Sequence, residues 1–157
     1  MKPKIYIETS IVSYLTAKPG ADVRVTANRD ATVEWWETRR PDFALFISEF
    51  VRAEAELGDR DAAKRRLEAI RGIPELEATE EARALGKALI AESAIPATAE
   101  IDAYHIAVAA VHGMEYLITW NCTHIANAVM RAKIESVCRR HGYEPPTICT
   151  PQELMEG

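Results

Sequence analysis

The sequence predicts an α/β fold in which a parallel sheet is covered by helices on both faces. Short β-rich apolar runs alternate with longer helical patterns along the 157 residues, an order that calls for crossover helices between parallel strands. Capping and turn residues stand at the junctions between these segments. The chain is 48% hydrophobic and 27% charged, which supplies both a core and a solvated surface. Its length fits one domain over residues 1–157.

The elements follow in order. Residues 4–7 read as a buried strand ending at Glu8, and a short helix runs from Ser10 until Pro19-Gly20 stops it. A longer helix is expected from about Asp22 to Arg39, with Val25, Ala27, Ala31, Val33, Trp35 and Trp36 interleaved and Pro41 marking its end. F-A-L-F-I at 43–47 is the second strand. Ser48 can cap the helix that carries Glu54, and Gly58-Asp59 separates it from an amphipathic helix through Ala62, Leu67 and Ile70 that closes at Gly72. A brief strand around Leu76–Ala78 precedes a helix opened by Thr79-Glu80-Glu81 and carried through Ile90. After a connector at 95–98, residues 100–112 form an alanine-rich helix containing Asp102, and 116–119 form another strand. The last helix spans about 125–140 and stops at His141-Gly142, T-I-C is the final strand, and Pro151 starts a terminal turn.

Composition narrows the function. Cys122, Cys138 and Cys149 are odd in number and lack C-x-x-C spacing, so they read as packed, reduced thiols and not as a disulfide framework or zinc ribbon. The apolar runs are too short and interrupted for a membrane span, and the N-terminus begins a strand instead of a signal peptide, so a soluble cytoplasmic protein is expected. A net charge of −5 is not the basic footprint of a nucleic-acid binder. Lys64-Arg65-Arg66, Arg39-Arg40 and Arg139-Arg140 offer local phosphate contacts or ordinary solvated helix faces.

Four residues carry the chemistry. Glu8 and Asn121 follow strand ends, where open α/β sheets bind ligands, while Glu54 and Asp102 lie in helical patterns. Carboxylate and amide oxygens are hard ligands that suit Mg²⁺ or Mn²⁺ and phosphodiester hydrolysis. Each residue also has a structural reading. Glu8 and Asp102 favour helix starts, Glu56 competes with Glu54, and Asn121 can cap the following helix. Thr119 can bond a metal-held water or the backbone, His105 and His124 are phosphate contacts, general acids or structural residues, and Trp35, Trp36 and Trp120 are base-stacking or core groups. The two histidines stay outside the expected ligand set.

With I-Y-I-E-T-S-I-V-S-Y-L, S-E-F-V-R-A-E-A-E-L-G-D and D-A-Y-H-I-A-V-A-A-V-H-G-M-E-Y-L-I-T-W-N-C-T-H-I-A-N in this order, the chain resembles the PIN-domain family. The likeness is to the VapC-like ribonuclease toxins of toxin–antitoxin pairs in particular. By that resemblance Glu8 stands at the first strand-end aspartate, Glu54 at the helix-borne glutamate, Asp102 at the third acid and Asn121 at a fourth position that is often Asp. The resemblance implies a three-layer α/β/α sandwich and a Mg²⁺- or Mn²⁺-dependent endonuclease acting on RNA. It also implies a homodimer and a small antitoxin partner. Two departures matter: Glu8 is one methylene longer than Asp, and Asn121 lacks a charge, which weakens a second metal more than a first. Two rivals differ in class: a weakened PIN-fold module that binds RNA or a protein without cleaving, and a phosphatase with a strand-end nucleophile, for which Glu8 is a poor match.

Overall fold

A computed structural model describes residues 1–156. Its five strands are β1 (Lys4–Ile7), β2 (Ala44–Ser48), β3 (Glu75–Leu76), β4 (Tyr116–Ile118) and β5 (Thr147–Cys149). They form one sheet in the order β3-β2-β1-β4-β5, with every neighbouring pair parallel. The helices are α1 (Thr9–Leu15), α2 (Val23–Thr38), α3 (Glu49–Ala55), α4 (Arg60–Ala69), α5 (Glu80–Ala91), α6 (Glu100–Val111) and α7 (Ala128–Arg140). Helices α1 to α4 pack together in one layer and α5 to α7 in another, giving three layers with the sheet, as right-handed crossovers require. The expected α/β/α sandwich is the fold observed.

The sheet is apolar on both sides. β1 contributes Ile5, Tyr6 and Ile7, all fully buried, as expected of a central parallel strand. Trp35 is buried against Phe43, which meets Tyr116 edge-on, so α2 is anchored to the sheet and Trp35 is a core group. Ala103, Ala107 and Ala110 let α6 lie close to the sheet, where it buries eight consecutive residues from Ala103 to Ala110. Cys138 and Cys149 are buried free thiols, while Cys122 is exposed. Among the described residues no helix is long and apolar enough to cross a membrane.

Several boundaries differ from the sequence expectation for local reasons. Helix α1 begins at Thr9 because the Glu8 carboxylate itself caps it, accepting from the Ser10 N–H. The β3 strand is Glu75–Leu76 and not 76–78, because only these two residues pair with Ile47 and Ser48 before Thr79 turns to cap α5. The last helix starts at Ala128: residues 121–126 form turns, and Asn127, not Asn121, is its N-cap. Its end matches expectation, with Gly142 at φ 88° just beyond the His141 cap.

Candidate metal centre

The strand order doubles back beside β1, so the crevice at its carboxyl end, next to β4, is the topological switch point. Parallel register fixes which side chains meet there. Ile7 pairs with Ile118, and the Glu8 N–H continues the ladder to the Ile118 carbonyl. Glu8 and Thr119 therefore leave adjacent strands on the same face, and the Thr119 hydroxyl donates to Glu8 Oε1 at 2.6 Å. The same oxygen receives the Ser10 N–H and the Ser10 hydroxyl. Glu8 is 4% exposed, and its Oε2 has no protein hydrogen-bond partner among the described residues.

Glu54 reaches this point from α3. Its Oε1 accepts from the Thr9 hydroxyl at 2.6 Å and lies 2.6 Å from His105 Nε2, which again leaves Oε2 without a protein partner among the described residues. Helical spacing turns Glu54 inward and leaves its competitor Glu56 at the exposed end of α3, 3.9 Å from Arg52. Asp102 lies in the first turn of α6, where its Oδ2 meets His124 Nδ1 at 3.0 Å. All three carboxylates thus have one oxygen held by the protein and one not so held.

His105, excluded from the expected set, is central. It is fully buried, with Nδ1 2.7 Å from the Tyr6 hydroxyl, which in turn lies 2.6 Å from Ser48 Oγ. Glu8, Glu54 and His105 each present a donor atom within 4.8 Å of the others. The available signal in the sequence was its position three residues after Asp102, which puts both on one helical face. Asn121 is not in this group: its Oδ1 accepts the His124 N–H at 3.1 Å and closes the 121–126 turn. His124 thereby links Asn121 to Asp102.

Electrostatics favour a cation at this crevice. Among the described residues no Lys or Arg pairs with Glu8, Glu54 or Asp102; imidazoles lie against Glu54 and Asp102. Burial pushes the Glu54 carboxyl up, but the His105 bond and charge and the Thr9 hydroxyl outweigh it, and the group sits below its ordinary value. Burial lowers His105, yet the bond to Glu54 and the charges of Glu8, Glu54 and Asp102 raise it overall. Two buried-edge carboxylates with free oxygens and an oriented imidazole fit a divalent ion.

The basic patches lie elsewhere and are partly spent on structure. Arg66 donates to the carbonyls of Ala55 and Leu57, Arg39 bonds Asp42 and the Leu154 carbonyl, and Arg139 and Arg140 pair with glutamates. A groove along α4, lined by Arg60, Lys64, Leu67 and Arg71, contains none of the candidate ligands.

The five-stranded parallel sheet in the order β3-β2-β1-β4-β5 between two helical layers is a VapC-like PIN fold. The solved structure of VapC20 from Mycobacterium tuberculosis, described as a sarcin-ricin loop cleaving toxin, superposes with a TM-score of 0.55 at 16% identity, covering 80% of this chain and 95% of that one. No family model matches the chain, and no curated protein matches it.

Proposed function

We propose that residues 1–157 act as one domain, a metal-dependent endoribonuclease hydrolysing RNA phosphodiester bonds, and that this is the toxin of a type II toxin–antitoxin pair. Glu8, Glu54 and Asp102 are the proposed ligands of Mg²⁺ or Mn²⁺, and Asn121 is an auxiliary ligand or water-positioning group. The observation that carries this reading is the half-free state of the three carboxylates: one oxygen of each is fixed by protein donors, and the other has no protein partner among the described residues. The likeness of fold to a sarcin-ricin loop cleaving toxin adds support.

A divalent ion supplies Lewis acidity toward the scissile phosphate and lowers the pKa of the attacking water. The residues do the positioning. Thr119 and Ser10 keep Glu8 turned into the crevice, Thr9 and His105 do so for Glu54, and His124 does so for Asp102. A small antitoxin and a second copy of the chain are the proposed protein partners.

The test is cleavage of a mixed RNA pool by purified protein with Mn²⁺, beside Asp102→Asn and a chelator control. Cleavage lost in both supports the nuclease. A folded, antitoxin-free wild type that leaves RNA intact favours the weakened binding module instead, a reading supported by the use of Asn121 Oδ1 in a turn bond.

A further inference from the structure

The donor set is not purely oxygen. We propose that His105, through Nε2, is a protein ligand beside Glu8 and Glu54, and that the resulting nitrogen–oxygen set takes Mn²⁺ or a later first-row divalent ion in preference to Mg²⁺. This rests on the metal-dependent reading above and narrows it.

Geometry supports convergence. Ligand bonds of about 2.1 Å allow donors on one ion to stand up to about 4.2 Å apart, and the three residues offer atoms within 4.8 Å of one another without an ion between them. The Nε2 to Oε1 separation of 2.6 Å opens to about 3.0 Å when two such bonds meet at a right angle. The change is a few tenths of an ångström, within side-chain reach for a Glu54 that is one-third exposed.

The far side of the imidazole is prepared for the role. A ligating histidine donates its other ring N–H to an outer partner, which fixes the tautomer and the ring plane. Here Nδ1 is 2.7 Å from the Tyr6 hydroxyl, and that hydroxyl is 2.6 Å from Ser48 Oγ, which also accepts the Phe50 N–H. In the metal-free protein Nε2–H faces Glu54; with an ion bound that proton would be released, Nδ1–H would donate to Tyr6 and Tyr6 to Ser48, and the Nε2 lone pair would turn to the ion. Phe50 packs edge-on against the ring at 6.4 Å and holds its plane.

Selectivity follows from ligand chemistry. Mg²⁺ prefers oxygen in a near-ideal octahedron and gives up water reluctantly. Imidazole raises affinity along the first-row series from Mn²⁺ toward Zn²⁺.

Pulsed electron paramagnetic resonance on metal-free full chain loaded with Mn²⁺ tests the assignment directly, with Mn²⁺ and Mg²⁺ calorimetry on the wild type, His105→Gln and Tyr6→Phe. The expected results are a ¹⁴N coupling in the wild type that His105→Gln abolishes, tighter binding of Mn²⁺ than of Mg²⁺, and about 10–100-fold weaker Mn²⁺ binding in Tyr6→Phe. Mn²⁺ bound with no nitrogen coupling overturns the proposal while leaving a carboxylate metal site and the nuclease reading intact. A folded wild type that binds neither ion overturns both. The wild-type spectrum decides the matter even where a variant fails to fold.

Discussion

Glu54 and His105 stand 51 residues apart in the chain and meet at 2.6 Å, Oε1 to Nε2, at the carboxyl edge of the sheet. The contact joins α3 to α6, and it makes the acidic crevice a property of packing between opposite layers.

That pair predicts a pH window for the metal-free protein. His105 is raised above its ordinary 6.5, so its contribution to stability is full below that value and is lost as pH rises through the folded-state value. Glu54 is lowered from 4.5, so its contribution is present above that value and is lost as pH falls through the depressed one. Thermal unfolding followed across pH should show a plateau between the two. In Glu54→Gln the alkaline fall should move to lower pH; an unshifted profile would exclude the pair as its source.

Thr119→Val removes the hydroxyl that donates to Glu8 Oε1 and accepts the Asn121 N–H. The site is fully buried, so the loss should be about 1–3 kcal/mol in urea unfolding, with reduced RNA cleavage. Thr119→Ser, which keeps the hydroxyl, should recover most of both.

Gly86→Ala acts on the same site from a distance. A Cβ there would stand 2.3 Å from Tyr104 Cδ1 and 2.6 Å from Cε1, and Tyr104 is held from the other side by stacking on Phe50 at 5.3 Å. Overpacking of this kind costs about 1–3 kcal/mol. Because Tyr104 lies between Asp102 and His105 on α6, divalent-ion affinity should fall with the melting temperature.

Asn121→Asp adds a negative charge at the position where the resemblance expects one, and its carboxylate can still accept the His124 N–H. Mn²⁺ binding should strengthen by about 1 kcal/mol, roughly fivefold, for a partly solvated charge. Calorimetric titration that finds no change would place Asn121 outside the metal's reach.

Much of the site was legible from local rules. Glu8 ends an apolar run before two hydroxyl residues, and register then carries Thr119 to its side. Asp102 in a first helical turn and Ser48 as a cap needed only the spacing of their neighbours. For His105 the sequence offered only its place on the same helical face as Asp102. On an alanine-rich helix a single histidine fits a solvated face as well as a buried one, and nothing near it in sequence names Glu54 or Tyr6 as partners. For Asn121 the capping alternative does not hold, because Asn127 caps the last helix and Asn121 closes the preceding turn; which of the two asparagines caps depends on where the 121–126 turns end, which local pattern does not fix.

By itself the sequence determined the alternation of strands and helices, the parallel sheet this requires and the crevice end at which its acids gather, because hydrophobic period, caps and crossover handedness are short-range or topological constraints. Tertiary structure alone decided that Glu54 meets His105 and Thr9, and that one oxygen of each carboxylate is tied down. It also decided that the His105 imidazole lies against Glu54. Those outcomes depend on contacts between layers, such as 2.6 Å from α3 to α6, which no local pattern encodes.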